Sequence, residues 1–346
     1  MSNGSEPEAM GIVFERRTTS REGVDVREWI SPDIDLICPY FHQRFITEDQ
    51  RFLLCEGRFE AGSAVVRLDM ADHEAVRLTA PGASPHGGDL SSDGRFFYFV
   101  RGQHLCRVEV GTGKEEALLH FPTRELTFLR QVHLSPDGAH LVVGANRVHA
   151  SGVKTGDVKV VDLRTGSIRT IVSRPFQIGH VQFSTSDPGL VMYCHETGGA
   201  SPQRMWLARL DSAHPGALYD RPGHPWVTHE TFCGNGKRIV FIRNPEGVGT
   251  IRPDNSDAET FEVPGAWHPG PSRTADRIVF DTHGNGLGIL WTGNGKYTIL
   301  SRGERTSDAP HMHPRFAPDD KTVVWTASRD ARPHPACANL EHVVPE

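Results

Sequence analysis

Along this chain, short runs of alternating apolar and polar residues are separated by polar turns, and no segment sustains a helical period. The phrase at Phe316–Trp325 is an apolar anchor, a polar turn and a run of apolar residues, and it recurs. Copies begin at Phe45 (FITEDQRFLLC), Leu90 (LSSDGRFFYFV), Leu134 (LSPDGAHLVVG), Phe183 (FSTSDPGLVMYC), Phe232 (FCGNGKRIVFI), Arg273 (RTADRIVF, the weakest) and Phe316 (FAPDDKTVVWTA). Their turn residues Asp49, Asp93, Asp137, Asp187, Asn235, Asp276 and Asp319 are spaced by 44, 44, 50, 48, 41 and 43 residues. Asp-Gly and Asn-Gly favour tight hairpins because they tolerate positive φ. Further short strands lie between copies, such as HLCRVEV (104–110), VKVVDL (158–163), SIRTIV (167–172) and MWLARL (205–210).

Four short strands in each period of roughly 40–45 residues is the pattern of a β-propeller blade. The expected fold is therefore all-β, a seven-bladed β-propeller, in preference to a β-sandwich. Residues 1–9 read as a disordered tail and 10–346 as one propeller domain. GIVFE and VDVREWI near the N-terminus are expected to complete the last blade and close the ring. The glycine-rich GTGK (111–114) and GNGLG (284–288) lack the spacing and following helix of a phosphate loop, so both read as turns.

Composition narrows the function. The 346 residues carry a net charge of −6, which offers no basic footprint for nucleic acid. No run of 18 or more apolar residues occurs, so no membrane partner is expected. The N-terminal MSNGSEPEAMGIVFERR lacks the charged start and apolar core of a secretory signal, and a cytoplasmic location is expected. The six scattered cysteines read as free buried thiols. Nineteen histidines are the unusual feature.

Those histidines fall in register. Three positions before each anchor stand His42, Gly87, Gln131, His180, His229, Gly270 and His313; five positions before the last two anchors stand His268 and His311. The strand led by this phrase is expected to line the central channel, so equivalent positions face one another. Residues two apart on an extended segment share a face, which lets His311 and His313 point together while Met312 points away. One histidine at a strand start is ordinarily a hydrogen-bonded core residue. Recurrence across blades points instead to a metal site. Imidazole with oxygen and no thiolate suits Mn, Fe, Co, Ni or Zn.

Several blocks together resemble the oligogalacturonate lyases, seven-bladed polysaccharide lyases that use manganese. They are CPYFHQRFITED near the start, CHE…RMWL in the fourth unit, THETF in the fifth and HMHPRFAPDDK…WTAS in the last. The resemblance implies metal ligands at His268, His311 and His313. The family's fourth ligand is a glutamine, replaced here by Asp308, which supplies an oxygen but adds negative charge near an anionic substrate. It implies a catalytic base at His229 and an assisting arginine at Arg204. His195, His180 and His42 are candidate substrate contacts, while Glu230, next to the base, is expected to face away.

The implied activity is metal-dependent β-elimination on short oligouronides, as in pectin degradation, with manganese foremost as cofactor and a small acidic sugar or oligouronide as partner. The same groups would serve a metal-dependent epimerase, isomerase or eliminase on a different sugar or sugar acid. A non-catalytic propeller that binds protein partners is the alternative from another class.

Overall fold

A computed structural model describes residues 8–19, 23–121, 128–212, 216–220, 226–283, 286–302, 310–329 and 332–345. Among them lie thirty β-strands and no α-helix, paired antiparallel into seven sheets. This is the seven-bladed propeller expected from the repeats. No helix of the described residues is long and apolar enough to cross a membrane.

Blades 2 to 6 follow one plan, in which four strands pair in chain order. Blade 4, for example, runs Ile178–Phe183, Leu190–His195, Met205–Arg209 and Gly216–Leu218. The first strand of a blade is the inner one. Ile178–Phe183 is buried throughout, whereas an outer strand such as Glu259–Glu262 is mostly exposed. First strands of successive blades touch around the ring, from Ser84–Leu90 to Arg315–Phe316.

The apolar side chains pack between blades, not on the axis. Val142, Val158 and Val160 of blade 3 form one core with Val181, Phe183 and Tyr193 of blade 4. Val240 and Ile242 of blade 5 meet Ile278 and Phe280 of blade 6 in the same way. Because these cores satisfy the hydrophobic effect between sheets, the axis is left to polar side chains. All six cysteines are free and buried, as expected.

The N-terminal segment stitches two blades. Asp25–Ile30 pairs with Arg332–Asn339, and Phe14–Thr19 covers it, so the last sheet contains strands from both ends of the chain. VDVREWI thus closes the ring as expected. GIVFE divides: Glu8–Ile12 instead pairs with Glu74–Arg77 at the outer edge of blade 1. Glu8 and Ala9, expected in the tail, begin that strand, while residues 1–7 lie outside the described residues. At the closure Glu28 is buried; burial pushes its carboxyl up, but hydrogen bonds from His334 and Arg16 outweigh this and hold it at about 2.

The stretch GNGLG is not a turn over its described part, because Gly286–Trp291 is a strand. Gly288 pairs with Phe280, and a Cβ there would lie 2.4 Å from the ring, so the glycine makes room for the aromatic.

Candidate active site

Each blade's first hairpin is closed by an N–H donating across the turn: Thr47 to Phe52, Ser91 to Phe96, Ser135 to His140, Ser184 to Leu190, Cys233 to Arg238, Ser272 to Arg277 and Ala317 to Thr322. Four residues before these donors stand Gln43, Gly87, Gln131, His180, His229, His268 and His313. Four consecutive blades, 4 to 7, therefore carry histidine in one slot. Two expected occupants are corrected. Anchoring blade 1 on Phe45 was one residue early and put His42 where Gln43 stands; anchoring blade 6 on Arg273 was two late and put Gly270 where His268 stands.

The slot coincides with a bulge. Ladder pairing shifts between Gly179 and Gln182, between Thr228 and Thr231, and between Ala266 and Pro269. His180, His229 and His313 take φ values of 46°, 52° and 49°. A left-handed conformation costs a non-glycine residue roughly 1–2 kcal/mol. Here it breaks the two-residue alternation and brings adjacent side chains into the same site.

His268 is the hub of the resulting cluster. Its ring centroid lies 4.1 Å from His229, 4.4 Å from His313 and 4.9 Å from His311. The rings of His311 and His313 are 5.9 Å apart and nearly parallel, at 28°, while Met312 packs into the core between blades 6 and 7. His180 stacks at 6.0 Å from His229, and His86 of blade 2 lies 5.3 Å from His313. Tyr40 and Phe41 cross the axis against them: Tyr40 is 4.5 Å from His313 and Phe41 is 5.6 Å from His268.

Hydrogen bonds assign the ring nitrogens. Nδ1 of His229 is 2.7 Å from the carbonyl of Trp267, which can only accept, so this nitrogen carries the hydrogen and Nε2 holds a lone pair. Nδ1 of His268 lies 2.9 and 3.0 Å from the two carboxylate oxygens of Asp281. Asp281 also accepts the backbone N–H of His268 and of His313. Burial, then neighbouring imidazoles, pushes His229, His268 and His313 well below the usual histidine range. Unprotonated imidazole is the form that binds a cation or accepts a proton.

The cluster fits a divalent cation. Donor atoms of His268, Asp281 and His311 lie within 4.8 Å of one another, and Nδ1 of His313 is buried with no hydrogen-bond partner. A carboxylate that grips one nitrogen of a histidine orients the other toward a metal, which is the role Asp281's position suits. Asp308 lies outside the described residues.

Behind His180 is a buried charge network. Glu230 lies 2.9 Å from Nδ1 of His180 and 3.3 Å from Nε of Arg204, and Arg204 also reaches Glu196 at 3.4 Å. Arg204 is only 3% exposed; burial works against its charge, but Cys194, Glu230 and Glu196 raise its pKa overall. Its guanidinium is thus engaged by Glu230 and Glu196 beside His180. His180, Cys194 and Glu230 also form a compact donor set, but the Arg204 cation already balances Glu230. Glu230, expected to face away, belongs to this network because alternation fails at the bulge.

The structure brings together His180, His229, His268, His311 and His313. His42 lies deeper, 5.9 Å from His180 and 5.0 Å from Tyr40. His195 stacks on Phe176 at 4.0 Å, off the axis. Sequence reasoning missed Tyr40, Asp281 and the role of Glu230. A signal existed for Tyr40, which sits inside the CPYFHQRF block; nothing local marked Asp281, which reaches His268 only across a strand pair.

No family model matches the chain. Over 94% of its length it is 22% identical to an oligogalacturonate lyase of Dickeya dadantii (strain 3937), of which it covers 95%. It is 21% identical over 93% of its length to an oligogalacturonide lyase of Pectobacterium atrosepticum, again covering 95%. An oligogalacturonate lyase solved in complex with manganese superposes with a TM-score of 0.87 at 22% identity, covering 99% of both chains. The resemblance expected from the sequence blocks is borne out along nearly the whole chain, and the propeller fold with it.

Proposed function

We propose that this chain is a divalent-metal-dependent lyase that cleaves short oligouronides by β-elimination, with His229 as the base. The observation that carries this reading is the lone pair on Nε2 of His229, held beside the His268, His311 and His313 imidazoles at a ring separation of 4.1 Å from His268. The similarity to oligogalacturonate lyases over 94% of the chain supports the substrate class.

His268, His311 and His313 would hold the ion, with Asp308 as an oxygen donor and Asp281 orienting His268. When bound, a divalent ion such as manganese supplies a Lewis acid for the substrate carboxylate and makes the adjacent C–H easier to ionise. His229 then takes that proton on Nε2. The electron pair of the C–H bond forms the new double bond as the C–O bond on the neighbouring carbon breaks, and the departing sugar oxygen keeps that bond's electrons and takes a proton from solvent. The carbonyl of Trp267 keeps the ring in place through Nδ1–H and stabilises the imidazolium that forms. Arg204 is a positioning residue: it balances Glu230, which orients His180 beside the base. His195 and His42 lie away from this centre and take no part in the proton transfer. The six buried thiols fit the reducing, cytoplasmic compartment expected from the sequence.

Incubation with saturated oligogalacturonides and manganese tests the reading. Elimination gives new ultraviolet absorbance from a conjugated double bond. Inverted sugar stereochemistry without that absorbance would replace the lyase with an epimerase, and chemical inertness with tight capture of a protein would replace it with a scaffold.

A further inference from the structure

The axial passage has a second end. On the turn side of Tyr40 and Phe41 a cavity of about 300 Å³ opens, lined by His42, Arg44, His133, Gln182 and Arg315. His133, Gln182 and Arg315, each just before its blade's anchor, line it, and in blades 2 and 4 the residue at that position accepts from the next blade. Asp89 accepts the N–H of Leu134 at 2.8 Å and Gln182 accepts the N–H of Phe232 at 3.3 Å, while Nδ1 of His133 lies 3.0 Å from the Leu134 carbonyl and donates to it. These acceptors sew the blades together.

Blade 7 places Arg315 at that position, and a guanidinium accepts nothing. Arg315 is not part of the stitching: its Nε makes one long contact, 3.4 Å to the carbonyl of Phe316, and its Nη1 is buried without a partner. Arg44 is also incompletely satisfied, with Nη2 bonded to Asp89 and to the Leu134 carbonyl but Nε unpartnered. His42 is 6% exposed, and neither of its ring nitrogens has a partner. Asp89 is buried and already pairs with Arg44 at 3.0 Å. Glu48 on the rim is exposed, and the Asp320 carboxylate accepts from the Arg273 N–H and, at 3.4 Å, from Arg277. Among the described residues no carboxylate pairs with Arg315, which stands at a site of buried, unused donors.

Buried donors without partners are costly, and a guanidinium fork matches carboxylate and phosphate oxygens. We propose that this turn-side mouth binds a small oxyanion, a carboxylate or a phosphate, held by Arg315 with Arg44 and His42, on the opposite side of Tyr40 and Phe41 from the histidine cluster. A sugar-acid product and inorganic phosphate share this chemistry. The site stands on its own residues and does not depend on the lyase reading.

Calorimetric titration of chelator-treated protein with inorganic phosphate, and separately with monomeric galacturonate, tests it. Saturable binding to a single site is expected, weakened at least about tenfold in Arg315→Gln and partly restored in Arg315→Lys, which keeps the charge but loses the fork. The His311→Ala variant should bind the anion as wild type does, which separates this site from the metal centre. Tighter binding of galacturonate identifies the occupant as a sugar acid, and tighter binding of phosphate identifies it as phosphate. Crystals of the wild-type protein soaked in phosphate give a readout that needs no variant: density within hydrogen-bonding reach of Nη1 of Arg315 is expected. The proposal is overturned if neither anion binds saturably, if Arg315→Gln folds and binds as wild type does, if His311→Ala abolishes binding, or if the soaked density lies only among the histidines.

Discussion

Blades 4 to 7 and blades 1 to 3 share one turn hydrogen bond and one axial slot, yet the slot does opposite work in the two halves. In blades 1 to 3 it holds Gln43, Gly87 and Gln131, and it is used up internally. Gln43 donates to the carbonyls of Gly87 at 3.2 Å and Val132 at 3.0 Å, tying three blades together. Gly87 is small because Gln131 lies against it; a Cβ there would sit 3.0 Å from the Cα of Gln131. In blades 4 to 7 the slot holds four imidazoles; those of His229 and His313 gather around His268, and burial pushes all three of these well below the usual histidine range. A repeat can thus give every blade the same access to the axis while the side chain decides whether that access goes to the protein's own backbone or to a ligand.

The largest break in this contrast is expected from His229→Ala, with turnover falling about 10³-fold while manganese stays bound, since base catalysis contributes about 10²–10⁴-fold. Activity assays alongside metal analysis check both halves of that statement. His313→Ala should lose manganese and activity but melt close to wild type, because the interblade cores hold the ring. Asp281→Asn should weaken manganese binding about 10–100-fold, as expected for a residue that orients a ligand; unchanged affinity in a metal titration would remove that role.

In the other half the effects should fall on stability. Gln43→Ala takes this donor from one buried and one half-buried carbonyl and should cost about 2 kcal/mol in chemical denaturation, with metal affinity unchanged. Asp89 supplies the pH dependence. Burial pushes its carboxyl up, but Arg44 and His133 outweigh that and hold it below the usual 3.8. Its contribution is therefore complete above the ordinary carboxylate value and is lost as pH falls through the depressed one, so the urea midpoint should fall as the pH drops below the ordinary carboxylate value. Asp89→Asn should be less stable at neutral pH and lose less over that acid range. Gly87→Ala should have the smallest effect, about 1 kcal/mol, from crowding Gln131.

Much of this molecule is legible along the chain. The spaced turns specify seven small sheets because each hairpin is a local event, set by an Asp or Asn that hydrogen-bonds its own turn, as Asp93 does to Ser91 and Arg95. His229 and His313 stand out for the same reason: each stands four residues before the N–H that closes its turn. His268 was found only at a different offset, and His42 was put in the wrong slot, because the weak copies at Phe45 and Arg273 hide the residue that closes the turn.

The amino-acid order by itself determined the all-β class, the blade count and the richness in imidazole, since each follows from local turn chemistry and strand alternation. Tertiary structure alone decided which residues complete the site. Asp281 meets His268 across a strand pair, Glu230 joins the network because a bulge cancels alternation, and Tyr40 reaches the axis from an irregular loop. The physical reason is common to all three. Their positions depend on backbone pairing between distant segments and on a left-handed distortion that no local pattern announces.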